Sequence, residues 1–436
     1  MVKSHAEESL GSNPGEAALN PADSVAMGVP SSRAPHTVEP IQSGIFAALR
    51  HRDYQLLFAA FVVNQTGFWL AHISLQALMV DLSHGDPFQV GLLTFALLIP
   101  ALVLAPIAGA LADRIDRKTI VLTCYAMVVV VSGILGWLSS YELITPAVLL
   151  GLAFWMGSTF AFAGPATMAI AANAVHREDL ASAVALQSAM NNLTRVVGPL
   201  LAAPLVASGR YAVGFLVFAG ASAVAGVLVS RMRVSNEIDE DETSGILERI
   251  RDGWDHARER RPALAAIATA GCLSVFGIGH IAMLPVFAAR VLGDEGLFPW
   301  LVATTAFGAM LGALVTGRDP RPTLAKAAVR LALYGLAFAV FASSTVPWMA
   351  FGAQFVVGYF YFAVMTGLQT LIQQLVDDDN RGRVMSLFQV AWGGLTPIGS
   401  LAMGAVAGLI GIGATLQFAA LGCVVSGVAM RLYARR

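Results

Sequence analysis

From Tyr54 onward, apolar runs separated by short polar clusters dominate the chain. Each run is long enough to cross a hydrocarbon core of roughly 30 Å as a helix. The runs fall at 54–80, 88–112, 119–141, 146–175, 181–208, 211–230, 263–289, 297–317, 325–345, 347–374, 384–410 and 413–431, which predicts twelve spans. Helices are expected, because a membrane β-barrel would show short segments of alternating polarity. Residues 1–42 break the pattern. They are rich in Ser, Pro, Ala, Asn and Glu, with almost no aromatics, and lack an apolar core segment. That composition predicts a disordered tail rather than a signal peptide.

Composition agrees with the pattern. Charged residues are 13% and hydrophobic residues 56%, with a mean hydropathy of +0.68. Soluble globular chains carry about 25% charge, so a soluble enzyme is excluded. A net charge of −1 provides no field for nucleic acid. Cys124, Cys272 and Cys423 lie far apart in apolar runs, with neither disulfide nor metal-ligand spacing. The chain has no G-x-x-x-x-G-K-[ST], H-E-x-x-H or G-x-S-x-G, so no ATPase, no enzyme activity, no cofactor and no metal are expected.

Placing the N-terminus in the cytoplasm puts 24 of the 27 Lys and Arg residues on that side. The positive-inside bias therefore predicts both termini inside and an even number of spans. A repeat underlies the twelve. Ser43-Gly44-Ile45 recurs as Ser244-Gly245-Ile246, Gly109-Ala110-Leu111 as Gly312-Ala313-Leu314, and Leu193-Thr194 as Leu395-Thr396, at offsets of 201 to 203. His72-Ile73 recurs as His280-Ile281, at 208. Two homologous six-helix halves are expected, 43–230 and 263–436, joined by a cytoplasmic linker over 231–262. In the linker Ile246, Ile250, Trp254 and Ala257 have helical spacing. They predict an amphipathic helix, either interfacial or a plain connector. Two such halves without a nucleotide site suit alternating access by rocking.

The sharpest motif is GALADRIDRK, Gly109 to Lys118, between the second and third spans. Its G-x-L-x-D-R-x-x-R-K pattern resembles the signature of the major facilitator superfamily at that loop, and the resemblance covers about residues 44–432. The family commonly has Gly where Asp116 stands here. HGDPFQVGL (84–92), VHREDLASAVAL (175–186), R-x-x-G-P in the fifth span and Gly382-Arg383 are similar to the enterobactin-exporter-like and macrolide-efflux-like subgroup, the transmembrane secretion effectors. The resemblance implies a monomeric, multi-pass exporter in a bacterial inner membrane. It would move a small amphiphilic molecule of the drug or siderophore class, usually in exchange for protons. An uptake symporter of the same fold and a non-transporting assembly factor are the alternatives. Gly109, Asp113, Arg114, Arg117 and Lys118 would then form a cytoplasmic gate against Gly382 and Arg383, or else serve only as positive-inside charge. The matching loop of the second half, Gly312 to Arg321, has Thr316 and Gly317 where the acid would stand, which predicts a one-sided gate.

Within the spans, Arg195 is costly to bury and needs a partner or a cavity. It suits an anionic or polar substrate, or a clamp on backbone carbonyls or on Asn191 and Asn192. No Asp or Glu sits mid-span. His72 and His280 are therefore the expected proton carriers, facing one cavity, unless they are neutral structural histidines. Asn64, Gln65 and Trp69 on the first span, and Gln369 on the tenth, are further cavity candidates. Gly198-Pro199 resembles part of the G-P-x-x-G-G antiporter motif, with Ala202 and Ala203 in place of its last glycines. The alternative is close packing of small residues, the default reading also for Gly308/Gly312 and Gly404/Gly408.

Overall fold

The computed structural model describes residues 44–112, 114–233 and 261–435. The expected tail, the amphipathic stretch of the linker and Asp113 lie outside the described residues. Described residues are helical almost throughout, and there is no strand among them. The helices are α1 (Arg52–Leu82), α2 (Pro87–Val103), α3 (Ala105–Ala112), α4 (Arg117–Ser140), α5 (Pro146–Asn173), α6 (Leu180–Ala207) and α7 (Tyr211–Ser230). After the linker come α8 (Arg261–Cys272), α9 (His280–Arg290), α10 (Phe298–Gly317), α11 (Leu324–Ala342), α12 (Pro347–Leu375), α13 (Asp378–Gln389), α14 (Thr396–Ile410) and α15 (Ile412–Tyr433).

Every segment that the apolar pattern marks is helical. Ten helical stretches among the described residues are long and apolar enough to cross a membrane, counting α8–α9 and α13–α14 as one stretch each. The second segment is the shorter apolar α2 followed by α3, with a break at Leu104. The fifth is α6, a 28-residue helix carrying the polar Gln187, Asn191, Asn192 and Arg195. Among the described residues, short turns reverse the chain between successive spans within 44–233 and within 261–435. They are set by side-chain caps from Asp86 on α2, Asp116 on α4, Thr145 on α5 and Thr323 on α11. Alternation places the start of α1 and the end of α15 together, here called the terminal end of the bundle. Large apolar side chains such as Trp155, Val227, Leu336 and Phe418 lie exposed on the helices, as a lipid-facing surface requires.

Two of the described segments are π-helical: Leu273–Ile278, between α8 and α9, and Val390–Gly394, between α13 and α14. They touch: Ser274 Oγ donates to the Trp392 carbonyl at 2.7 Å. The helices that the sequence repeat would pair with them, α1 and α6, are α-helical over 31 and 28 residues.

Glycine lets backbones meet. A Cβ on Gly308, Gly312 or Gly358 would overlap the carbonyls of Phe355, Tyr359 and Thr305, so α10 and α12 lie backbone to backbone. Gly404 of α14 meets α2 at Pro87 and Gly91, whereas Gly408 has open space around it.

Taking the helices before and after the linker, α1–α7 and α8–α15, as the first and second half of the bundle, the two sets pack together at the end away from the termini, where α2 packs on α14 and α6 on α10. Arg290, at the end of α9, donates to the His84 carbonyl at 3.1 Å. Asp81, at the end of α1, interacts with Glu295 of the second half. Toward the terminal end, α3, α8 and α13 pack chiefly within their own halves.

Candidate functional site

Between the halves lies a cavity of about 320 Å³, within the range of small-molecule sites. α1 contributes Phe68, Trp69, His72 and Gln76; α6 contributes Arg195; α12 contributes Tyr361 and Phe362. Trp392 of the second π segment and Thr396 and Ser400 of α14 complete one wall. Aromatic side chains thus face the cavity from both halves, giving broad apolar contact area with polar tips.

Its polar groups are held but not saturated. Gln76 Nε2 lies 3.0 Å from His72 Nε2, one helical turn away on α1. Trp392 Nε1 donates to Tyr361 Oη at 2.6 Å. The Arg195 guanidinium sits over the Phe362 ring, 5.3 Å from its centre, a cation–π contact between the halves. Trp69 Nε1, His72 Nδ1 and Arg195 Nε are buried without a hydrogen-bond partner. A buried unmatched polar group costs about 1–3 kcal/mol. Three such groups lie together along one wall of this cavity.

Gly198 positions this wall. It stands directly against Trp69, and any Cβ there would overlap Trp69 Cβ. The glycine of the Gly198-Pro199 pair therefore lets α6 lie close enough to α1 to seat the indole. Asn191 and Asn192 do not hold Arg195 through the bonds they make. Asn191 Oδ1 accepts from Gln65 at 3.0 Å, and Asn192 donates to the Ser188 carbonyl at 3.0 Å.

His280 is elsewhere. It is buried inside the second half, with Nδ1 2.6 Å from the Gly277 carbonyl and Nε2 accepting from Gln354 at 2.9 Å. Phe338 and Phe341 pack on its ring. The expected pairing of His72 and His280 across one cavity does not occur in this arrangement. Asn64 and Gln65 line a second cavity of about 360 Å³ within the first half, where Asn64 accepts from Ser222 at 2.9 Å. Gln369 is exposed and lines neither cavity.

Among the expected gate residues, Lys118 binds the end of α7, donating to the Ser230 and Met232 carbonyls at 2.9 and 2.7 Å. Arg114, Gly382 and Arg383 are exposed, whereas Gly109 and Arg117 are partly buried. The matching loop of the second half carries an acid that repeat alignment missed. Asp319 binds Lys326 at 2.8 Å and Arg330 at 3.3 Å, two residues beyond Gly317. Tyr361, Phe362, Trp392 and Gln76 were also missed as cavity residues. The aromatic run Tyr359–Phe362 was the available signal.

The sequence profile of the transmembrane secretion effector family, a major facilitator family, matches residues 43–435. The chain belongs to that family. It is a multi-pass membrane transporter and not an enzyme. It is 26% identical to the uncharacterised MFS-type transporter YfiS of Bacillus subtilis, over 84% of this chain and 89% of YfiS. It is 25% identical to the staphyloferrin A transporter of Staphylococcus aureus, over 79% of this chain and 87% of the relative. Among solved structures, a bacterial homologue of the lysosomal transporter Spinster, inward-facing and unoccupied, superposes with a TM-score of 0.68 at 17% identity. That match covers 88% of this chain and 96% of the other. A POT family transporter bound to 5-aminolevulinic acid gives 0.71 at 12% identity, over 90% and 98%. These structural likenesses concern the fold.

Proposed function

We propose that this transporter exports a small, acidic amphiphile of the siderophore or drug class from the cytoplasm of a bacterium by alternating access. The observation that carries the reading is the aromatic cavity with three unpartnered polar groups, Trp69 Nε1, His72 Nδ1 and Arg195 Nε. Aromatic walls suit a flat or greasy body, and Arg195 suits a carboxylate or hydroxamate oxygen. Similarity to a staphyloferrin A transporter supports the siderophore side. The bias of Lys and Arg supports termini in the cytoplasm of an inner membrane. With that orientation, the packing of the halves at the far end corresponds to an inward-facing state. His72 is the lining residue whose side-chain type titrates nearest neutrality, so exchange for protons passes through it.

Thermal stability of the purified protein, measured with acidic siderophores and with cationic and neutral drugs, tests the substrate class. Acidic ligands should stabilise the wild type and not Arg195→Met. Stabilisation by cations alone would overturn the reading. Counterflow in inverted vesicles separates export from the alternative, uptake by symport.

A further inference from the structure

Away from the cavity, three potential metal ligands converge at the terminal end of the first half. His51 precedes α1 as its N-cap residue, His176 precedes a one-turn 3-10 helix, and Asp179 precedes α6 as its N-cap residue. His51 Nε2 and Asp179 Oδ2 are 2.8 Å apart. The two imidazole rings are 4.7 Å apart between centres. One ligand atom from each of the three residues lies within 4.8 Å of the other two. We propose that His51, His176 and Asp179 bind a divalent transition metal of the zinc class.

The donor set fits that chemistry. Two imidazoles and a carboxylate are ligands for Zn²⁺ and its neighbours, at about 2.0–2.2 Å from the ion, with a fourth position left for water. Ligand atoms around a tetrahedral ion stand about 3.4 Å apart, so His51 and Asp179 need open by only a fraction of an ångström. The His176 ring is exposed and can swing to close the third side. The framework is fixed on either side of the triad. Ser182 Oγ donates to the Ile45 carbonyl at 2.7 Å and accepts from Ala48 N at 3.1 Å. Tyr54 Oη donates to the Ala183 carbonyl at 2.7 Å. These bonds pin the start of α1 to the start of α6, so the ligand positions are preorganised. The His51 and Asp179 side chains are 20% and 13% exposed, which limits competition by water while leaving access through His176. The site joins the two helices that present Trp69, His72 and Arg195 to the cavity, so occupancy would fasten their terminal ends together.

The test uses full-length protein purified through a tag without histidine and stripped of metal. Titration with Zn²⁺ by calorimetry, and with Co²⁺ by visible absorption, should show a site with tetrahedral Co²⁺ bands. His176→Ala and Asp179→Asn should each weaken Zn²⁺ binding by at least about tenfold. The His176 side chain makes no hydrogen bond among the described residues, and its backbone bond to Asp179 N survives the substitution, so that variant reads the site itself. His84→Asn, at the opposite end of the bundle, should leave the affinity unchanged. Absence of Zn²⁺ binding in the wild type would overturn the proposal. Equal affinity in wild type, His176→Ala and Asp179→Asn would overturn it as well, leaving His51–Asp179 as a simple hydrogen bond.

Discussion

Gly198→Ala tests whether the cavity wall depends on close approach of α1 and α6. Two effects oppose each other. In a helix interior, Ala is favoured over Gly by about 1 kcal/mol. Against that, the added methyl overlaps Trp69 Cβ and comes within 2.9 Å of Cγ and 3.4 Å of Cδ1. Trp69 Cβ is bonded to the backbone and cannot rotate away, so the helices must part by on the order of 1 Å to restore ordinary contact. Overpacking of this kind costs about 1–3 kcal/mol. A control isolates the second effect: Gly220 of α7 has nothing within 4 Å of its missing Cβ. Gly220→Ala should be neutral or stabilised, and Gly198→Ala should lie below it by about 1–3 kcal/mol. Denaturant unfolding of both variants in one detergent measures the difference. Gly198→Ala should also weaken ligand-induced stabilisation, because the indole moves. If the two variants unfold together, α6 does not seat Trp69 and the structural account of the Gly198-Pro199 pair is wrong.

His72→Gln should alter transport against an imposed pH gradient with little loss of stability, whereas His280→Gln should lower the melting temperature and leave the gradient dependence intact. The reverse pattern would return His280 to the coupling path. Asp319 is hydrogen-bonded by Lys326 and by the Arg321 amide, with Arg330 nearby, and these hold its carboxyl below the ordinary carboxylate range. A folded-state value below the unfolded one contributes stability that is present above the unfolded value and lost as pH falls through the folded one. The melting-temperature gap between wild type and Asp319→Asn should therefore close on acidification; a gap that stays constant would show that the ion pairs contribute nothing. In a background without native cysteines, Tyr141→Cys and Trp348→Cys should react with an impermeant thiol reagent on intact cells, and Ile45→Cys should not; labelling at Ile45 would invert the topology.

Much of the fold was legible because the bilayer imposes one strong rule on sequence. A span must be apolar and about 20 residues long, and the twelve expected segments are all helical. The site was less legible, because depth and facing depend on helix register. His72 and Arg195 reach one cavity through α1 and α6, which are regular, so their spacing could be read. His280 follows a π-helical segment, which shifts the register of everything after it. The sign was in the repeat: 208 residues separate the two histidines, while the other matches stand at 201 to 203. At the common offset the counterpart of His72 is Ser274, the residue that bonds Trp392. The His51–His176–Asp179 cluster left no sequence signal, since its members meet only when the starts of α1 and α6 come together. Asp319 was overlooked because alignment asked for an acid at one position, whereas a loop needs only an acid within reach of its bases.

The two π-helical segments give the molecule a mechanical polarity. A widened turn leaves backbone groups imperfectly matched and lowers resistance to bending there, and the two such segments are joined by the Ser274–Trp392 bond. Of the first-half helices α1 and α6, both α-helical throughout, α1 has no internal proline, whereas α6 carries Pro199 and Pro204. Opening and closing would then combine a jaw that is stiff along α1 with an articulated one, with the bend near the middle of α8–α9 and α13–α14. Spin labels at the two ends of α1 should keep one sharp distance through the transport cycle, while labels at Arg261 and Arg290 should report two. Equal behaviour of both pairs would mean rigid-body rocking alone. With the bend at Trp392, a ligand touching that indole would sit on the hinge itself, so substrate occupancy and jaw angle would be a single mechanical variable.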